Sequence, residues 1–121
     1  MPIKNIKNAE HYTWGAACDG WRILNGPDLA VILELIPPGR GEVRHYHDRS
    51  RQLFYVLEGK LQMVMADETL VLEKGDSLEV PPSVPHRVWN LSHENTTFLV
   101  VSAPSTVGDR VYLEPSPSAT S

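Results

Sequence analysis

Hydrophobic residues occur along this chain in short runs that are separated by turn-forming residues. The runs are rich in Val, Ile, Leu and aromatic side chains, and they show little helical periodicity. Short runs of this composition, bounded by glycine and proline, are typical of β-strands. We therefore predict strands at residues 20–24, 29–36, 42–47, 52–59, 60–66, 68–75, 77–81, 86–91, 96–104 and 110–115.

Turn signals between the runs are frequent, since the chain contains ten prolines and eight glycines. The segments 37–41 (PPGRG), 73–76 (EKGD) and 81–85 (PPSVP) are predicted turns, and 57–61 (LEGKL) is a predicted tight hairpin with Gly59 in its turn. Many short strands at regular spacing predict an all-β sandwich or barrel.

The length of 121 residues fits one domain. We assign residues 1–114 to that domain, although residues 1–10 are polar and expected to be less ordered. The Pro- and Ser-rich tail, residues 115–121 (PSPSATS), is predicted to be disordered.

Composition and charge exclude several classes of function. The net charge of −4 provides no basic surface for nucleic acid. No apolar run approaches the roughly 18 residues of a membrane-spanning helix, and the first ten residues have no signal-peptide core. The single cysteine, Cys18, allows neither an intrachain disulfide nor a thiolate metal site. These features together predict a cytoplasmic protein without a membrane segment.

Three histidines and a glutamine are the candidate chemical groups. His45 and His47 share one face of their predicted strand, because side chains alternate between the two faces of a strand. The turn at 48–51 allows Gln52 to return beside them, and His86 follows the stiff proline turn. Imidazole nitrogens suit zinc, copper, nickel or iron, and an amide oxygen can complete the set. Two alternatives stay open: a metal-free barrel whose histidines bind an organic ligand or one another, and a hydrogen-bonding role for Gln52 behind the ligands.

The spacing of these residues resembles the two signature motifs of the cupin superfamily. Residues 39–59 follow G-x5-H-x-H-x3,4-E-x6-G with glutamine in place of the glutamate, and residues 75–90 follow G-x5-P-x-G-x2-H-x3-N with serine in place of the second glycine. The fifteen intervening residues, 60–74, are typical of small single-domain cupins. The two motifs together, at compatible spacing, make the resemblance specific.

Membership of this superfamily implies a double-stranded β-helix, the jelly-roll barrel, with a metal in its wider end. It implies one divalent transition metal per chain (zinc, iron, manganese or nickel), held by His45, His47, Gln52 and His86. It also implies a homodimer, and the apolar residues on both faces of residues 29–36 agree with a covered outer sheet.

The glutamine is the departure that matters for chemistry. Three neutral imidazoles and a neutral amide leave a divalent ion with its full charge, which favours anionic ligands and acidifies a bound water. Because Gln52 cannot act as a general base, a metal-bound hydroxide or the substrate itself would take the proton. The second departure, Ser83, is expected to have little consequence.

Six apolar residues are expected to line the substrate pocket, because they share inward positions with the ligands. They are Phe54, Val56, Leu61, Met63, Met65 and Val88. Such a pocket would accept a small, partly apolar or aromatic molecule. No residue near the histidines in the sequence is an evident substrate anchor.

The function expected from this site is that of a metal-dependent enzyme acting on a small oxygen-bearing organic molecule. An iron-type ion would allow dioxygenation, whereas zinc, which has no redox chemistry, would favour isomerisation, cyclisation or lyase chemistry. The alternative is a non-catalytic cupin that binds or senses a small molecule, since one fold hosts many functions.

Overall fold

The computed structural model describes residues 3–114, which form two antiparallel sheets. The strands, in chain order, are β1 (Glu10–Trp14), β2 (Cys18–Asn25), β3 (Ala30–Ile36), β4 (His45–His47), β5 (Arg51–Glu58), β6 (Lys60–Met65), β7 (Glu68–Glu73), β8 (Ser77–Val80), β9 (His86–Trp89), β10 (Thr96–Ala103) and β11 (Arg110–Tyr112).

The two sheets face each other as a jelly-roll barrel. The six-stranded sheet has the order β1-β2-β3-β10-β5-β8, and the five-stranded sheet has the order β11-β4-β9-β6-β7. Every pairing is antiparallel. The double-stranded β-helix expected from the strand pattern and the two motifs is therefore confirmed. Within residues 3–114, no helix has the length and apolar character needed to cross a membrane.

Alternation along the strands builds the core between the sheets. In β5 and β10 every second side chain is buried, as a strand with one inward face requires. Phe98 from β10 and Leu61 from β6 are fully buried members of one core cluster between the sheets. The core also contains Cys18, Ile36, Phe54, Val56, Met63, Leu72, Val80, Val88 and Val100.

The predicted hairpin at residues 57–61 is wrong, because β5 and β6 belong to different sheets. Gly59, with φ of 83°, lies at a corner where the chain crosses from one sheet to the other. A Cβ atom there would lie 2.7 Å from both the Asn95 carbonyl oxygen and Thr96 Oγ1. Close packing of another segment, as well as a positive φ, therefore requires glycine at this corner.

The boundaries of several predicted strands also differ from those observed. β1 was not predicted, because only Tyr12 and Trp14 of its five residues are apolar and half-buried, as expected of a strand at the sheet edge. β4 begins at His45 rather than at residue 42, and β11 ends at Tyr112. The tail at residues 115–121 lies outside the described residues.

Candidate metal centre

The three motif histidines converge inside the barrel. His45 and His47 lie on β4, and His45 is directly opposite His86 of β9 in the sheet register. All three are at most 2% exposed, and one ring nitrogen from each lies within 4.8 Å of the others. Strand parity predicted that His45 and His47 share a face, and the structure confirms it; the proximity of His86 agrees with what the motif resemblance implied.

Backbone contacts fix the orientation of two of the rings. His45 Nδ1 lies 2.9 Å from the Val43 carbonyl oxygen, and His86 Nδ1 lies 2.9 Å from the Val84 carbonyl oxygen. A carbonyl oxygen can only accept a hydrogen bond, so each Nδ1 must carry the ring proton. Nε2 of each ring therefore keeps its lone pair. The tautomer that a metal ligand needs is therefore set by the protein.

Burial also holds the histidines in their neutral form. It lowers the pKa of His45 to about 4, aided by the charge of Arg110, and it lowers the pKa of His47 to about 3, aided by His45. The pKa of His86 is lowered as well, mainly by burial and secondly by the neighbouring His45. Neutral imidazoles at physiological pH are the form that binds metal ions.

Several buried polar atoms in this cluster have no hydrogen-bond partner within residues 3–114. They are both ring nitrogens of His47, Nε2 of His86 and Oε1 of Gln52. Leaving buried polar groups unpaired costs free energy, so such groups are rare unless a ligand satisfies them. One imidazole nitrogen from each of His45, His47 and His86, together with the amide oxygen of Gln52, fits a divalent transition metal.

Gln52 is 5% exposed, and its amide nitrogen donates a hydrogen bond to Ser102 Oγ at 3.2 Å. In this orientation the nitrogen faces β10, and Oε1 has no hydrogen-bond partner within residues 3–114. The arrangement is consistent with an oxygen ligand, and the assignment of Gln52 as a ligand stays a prediction.

The turn that contains Ser83 is bonded to the strand that carries His45 and His47. The Ser83 amide donates a hydrogen bond to the His47 carbonyl oxygen at 2.7 Å, and Ser83 has a φ of 68°. The serine therefore adopts the left-handed conformation that glycine, the residue in the family motif, adopts without strain. This backbone strain at Ser83 was not predicted from the sequence.

The Asp109 carboxylate was not anticipated from the sequence. It accepts hydrogen bonds from the amides of Arg49 and Ser50, at 3.0 and 2.8 Å. Burial alone would raise the pKa of this carboxyl, but the two amides bring it below its ordinary value. Asp109 thus fixes the turn that connects His47 to Gln52.

A cavity of about 300 Å³ adjoins the cluster between the two sheets. Its wall contains residues from six strands and two loops: Tyr12, Trp14, Arg22, Ile32, Glu34, Glu42, Gln52, Val100, Ser102, Thr106, Val107 and Arg110. Glu42 connects the cavity to the histidines, because its Oε1 lies 4.0 Å from His45 Nε2. This volume is at the lower end of the range for small-molecule sites.

Two carboxyl groups in the cavity have raised pKa values. Burial, aided by the charge of Glu42, raises the pKa of Glu34 to about 8. Burial also raises the pKa of Glu42, against the opposing effect of Arg110. Carboxyls with such pKa values in a cleft are candidates for proton transfer.

These cavity residues were missed in the sequence, although one signal was present. Glu34 shares inward parity with Ala30, Ile32 and Ile36 on β3, so a charged residue interrupts an apolar face. Arg22 and Arg110, by contrast, come from distant strands, and no local pattern brings them together.

The six residues expected to line the pocket lie elsewhere. Phe54, Val56, Leu61, Met63 and Val88 are at most 3% exposed within the packed core, and Met65 packs against it. None of the six is in the wall of the cavity described above. Their contact with a substrate stays a prediction.

Comparison with known proteins identifies the family. Residues 32–102, more than half of the chain, match the family model described as Cupin domain. The chain belongs to the cupin family. Over 82 residues this cupin is 29% identical to the uncharacterized protein MJ1618 of Methanocaldococcus jannaschii, a match that covers 68% of the chain and 66% of the relative.

Two further similarities connect this cupin to proteins named for polyketides. It is 31% identical over 72 residues to the polyketide synthase CurC of Streptomyces cyaneus, covering 60% of the chain and 47% of CurC. The polyketide cyclase RemF from Streptomyces resistomycificus has the same fold, with a TM-score of 0.80, 17% identity, and coverage of 96% and 87% of the two chains. The matched region spans less than two thirds of each curated relative's length.

Proposed function

We propose that this cupin is a metal-dependent enzyme that moves protons on a small carbonyl compound, in an isomerisation or cyclisation. The observation that carries the proposal is the set of unpaired, buried nitrogen and oxygen atoms beside a cavity with two carboxyls of raised pKa. The similarity to CurC, a protein named for polyketides, supports a substrate rich in carbonyl groups.

His45, His47 and His86 would hold the ion, with the amide oxygen of Gln52 as the fourth donor. A divalent ion, when bound, supplies Lewis-acid polarisation of a carbonyl oxygen. The protein contributes neutral imidazoles and fixed ring orientations, so no proton has to leave a histidine at neutral pH.

Glu34 would be the group that moves the proton. Its carboxyl lines the cavity, and no hydrogen bond contributes to its pKa of about 8. At neutral pH it therefore holds a proton that it can donate to a substrate oxygen, and in its ionised form it can accept a proton from carbon. A pKa close to the working pH is the most effective for general acid–base catalysis.

The cations of the cavity would orient the substrate. Arg22 lies over the ring of Tyr12, 4.4 Å from its centroid, and its Nε is 3.6 Å from Glu10. Arg110 is on β11 of the other sheet, 5.8 Å from the centroid of the Tyr112 ring, and it also lines the cavity. Its guanidinium would bind an oxygen anion that develops on the substrate.

Elemental analysis of protein purified without a chelating column tests the metal site. We expect about one transition metal per chain, and none in His45→Ala/His47→Ala. The matched control is His11→Ala/His93→Ala, which removes two exposed histidines and should keep the metal. Absence of metal from the wild type, even after reconstitution, would overturn the metalloenzyme proposal.

Exchange of the methyl protons of pyruvate for deuterium tests the chemistry. Pyruvate is a small carbonyl acid, and proton NMR follows the exchange directly. We expect zinc-loaded protein to accelerate the exchange and Glu34→Gln to lower the rate about 100-fold. Glu68→Gln, at an exposed position, is the control. Metal binding with no acceleration of this or a related ketone would favour a binding module without turnover.

We also infer that two copies of this cupin pair through the outer face of the six-stranded sheet. Two apolar rows cross this face in register: Trp21, Leu33, Leu99 and Tyr55; and Leu24, Val31, Val101 and Leu53. Leu53 and Tyr55 are each 40% exposed. An exposed apolar area of this kind favours association with a second copy.

Light scattering tests the pairing. We expect the wild type at twice the 13.5 kDa chain mass and Leu53→Glu at the mass of one chain. The control is Val71→Glu, because Val71 is an exposed valine on the other sheet. A wild type of single mass would contradict the inferred dimer.

A further inference from the structure

Three residues form one row across the first three strands of the six-stranded sheet. Tyr12 of β1 lies opposite Gly20 of β2, and Gly20 lies opposite Glu34 of β3. Residues that are directly opposite in neighbouring strands project to the same face of a sheet. Tyr12 and Glu34 both line the cavity between the two sheets. The row therefore brings a phenol and a carboxyl into one cavity, with a glycine between them.

Gly20 provides the space that the end of the Tyr12 ring occupies. A Cβ atom at Gly20 would lie 2.4 Å from Tyr12 Cζ and 2.6 Å from Tyr12 Oη. Atoms of two side chains do not approach each other so closely, so any other residue at position 20 would displace the ring. The Tyr12 side chain thus extends from β1 over β2, in the direction of the strand that carries Glu34.

The neighbouring Arg22 also contacts the ring. Its guanidinium carbon lies 4.4 Å from the centroid of the Tyr12 ring, a distance at which a cation and an aromatic face attract each other. Arg22 follows Gly20 by two residues on β2 and lines the same cavity. Because Gly20 and Arg22 both hold the ring, the hydroxyl has a defined position before a substrate binds.

The hydroxyl of Tyr12 is available as a hydrogen-bond donor. Burial raises the pKa of the phenol, aided by the charges of Glu34 and Glu42 and opposed by those of Arg22 and Arg110. The phenol therefore keeps its proton at physiological pH. No hydrogen bond contributes to the pKa of Tyr12 or of Glu34, although a tyrosine hydroxyl in a protein interior usually has a partner. A molecule bound in the cavity would supply that partner.

We propose that the Tyr12 hydroxyl is a further catalytic group, which donates a hydrogen bond to the substrate carbonyl oxygen while Glu34 removes a proton from the adjacent carbon. The C–H bond breaks, its proton passes to the Glu34 carboxylate, and its electron pair moves onto the carbonyl oxygen. Tyr12 keeps its own proton throughout, and Glu34 later returns the transferred proton to carbon. A fixed donor aimed at an oxygen that gains charge stabilises the transition state more than the bound substrate. This inference rests on the proposed proton-transfer reaction and adds a second residue to it.

The kinetics of deuterium exchange into pyruvate, followed by proton NMR on the zinc-loaded protein, test this proposal. We expect Tyr12→Phe, which removes only the hydroxyl, to lower kcat about 100-fold and to leave KM within about twofold, because the hydrogen bond strengthens in the transition state. The matched control is Tyr46→Phe, which should keep the wild-type kcat. Tyr46 is half-buried like Tyr12, but it lies on the face of β4 opposite to His45 and His47.

A substitution at the glycine tests the placement of the hydroxyl. Gly20→Ala keeps the hydroxyl but fills the space under the ring, so we expect a loss of kcat similar to that of Tyr12→Phe. Combining the two substitutions should cost no more than either one alone, because both remove the same interaction. Circular dichroism shows whether each variant folds, and elemental analysis shows whether each one carries as much zinc as the wild type.

The outcomes separate this inference from the proposed function. If the wild type exchanges the protons of pyruvate and Tyr12→Phe has the same kcat, the inference on Tyr12 is wrong and the proposed function stands. A variant in which only KM rises would also contradict the inference, since the hydroxyl would then do no more than bind the substrate. If the wild type accelerates no exchange, the proposed function and this inference both fail.

Discussion

The two ends of the barrel interior differ in whether their buried polar groups are hydrogen-bonded. At the end where β9 finishes, the Asn90 amide nitrogen donates to the carbonyl oxygens of Ile36 and Glu94, at 2.8 and 2.7 Å. Thr96 Oγ1 donates to the Lys60 carbonyl oxygen at 2.7 Å. At the other end, His47, His86 and Gln52 leave buried atoms unpaired.

The difference separates stability from function within one sequence motif. Asn90 and His86 both belong to the second motif, but Asn90 binds neighbouring segments together, whereas His86 keeps its Nε2 free. Satisfied polar groups stabilise and specify a fold, and unsatisfied ones lower stability unless a ligand binds them. The histidine end should therefore be less stable than the rest of the barrel when metal-free.

Truncating the apolar core tests the stable end and should give the largest effect. Phe98 is fully buried between the sheets, and Phe98→Ala should lower the free energy of unfolding by about 3–5 kcal/mol. Urea denaturation of the metal-free protein measures it. His47→Ala is the comparison at the other end and should cost much less, because the ring nitrogens of His47 make no hydrogen bond within residues 3–114. Equal losses for the two variants would remove the contrast between the ends.

Acid should destabilise the histidine end before the rest of the molecule. The folded pKa values of His45 and His47, about 4 and about 3, lie below the ordinary value of 6.5. The unfolded chain therefore takes up protons first, so stability is complete above pH 6.5 and falls as the pH drops toward 4. His45 alone should account for about 3 kcal/mol.

Thermal denaturation of the metal-free protein between pH 7 and 4.5 measures this acid effect. His45→Asn/His47→Asn should flatten the profile, whereas the exposed pair His11→Asn/His93→Asn should leave it steep. A wild-type profile that is flat in this window would show that the histidines are not held neutral by burial.

Glu34 should give a pH dependence of the opposite sign. Its folded pKa of about 8 lies above the ordinary value of 4.5, so the protein loses stability as the pH rises from 4.5 to 8. Glu34→Gln should therefore raise the free energy of unfolding by about 3 kcal/mol at pH 7, with no gain at pH 4. Urea denaturation at the two pH values measures it, and a gain that does not change with pH would contradict a buried, ionisable Glu34.

The smallest expected effect concerns the turn beside His47. Ser83 has a φ of 68°, which glycine adopts without strain. Ser83→Gly should raise the free energy of unfolding by up to about 1 kcal/mol, with zinc affinity unchanged. Thermal denaturation measures it against Ser92→Gly as the control. A loss of stability would mean that the contact of the serine hydroxyl with the Asp48 carbonyl oxygen, at 3.4 Å, stabilises the protein by more than the backbone strain at Ser83 destabilises it.

Much of the site was readable from the sequence, because strand parity and motif spacing are local properties. His45 and His47 share a face by alternation, and the second motif places His86 at the start of its strand. Glu34 was equally readable, since it is the one charged residue on the inward face of β3.

Glu42 could not have been found by the same reasoning. Parity along a strand at residues 42–47 would turn Glu42 away from His45. In the structure β4 begins only at His45, and the preceding residues bridge to β9 through Gly41 and Val88. Side chains alternate between faces only within a continuous strand. Because residues 42–44 are not part of β4, parity does not predict the direction of the Glu42 side chain.

The sequence by itself determined the strands, the inward faces and the cupin motifs, because each depends on residues a few positions apart. Only the tertiary structure decided which sheet each strand joins and which buried polar atoms find partners. The corner at Gly59, the cavity between β3 and β11, and the carboxylate of Glu42 beside His45 all arise from long-range packing. Such contacts depend on the whole fold, since each requires segments that are distant in the chain to meet.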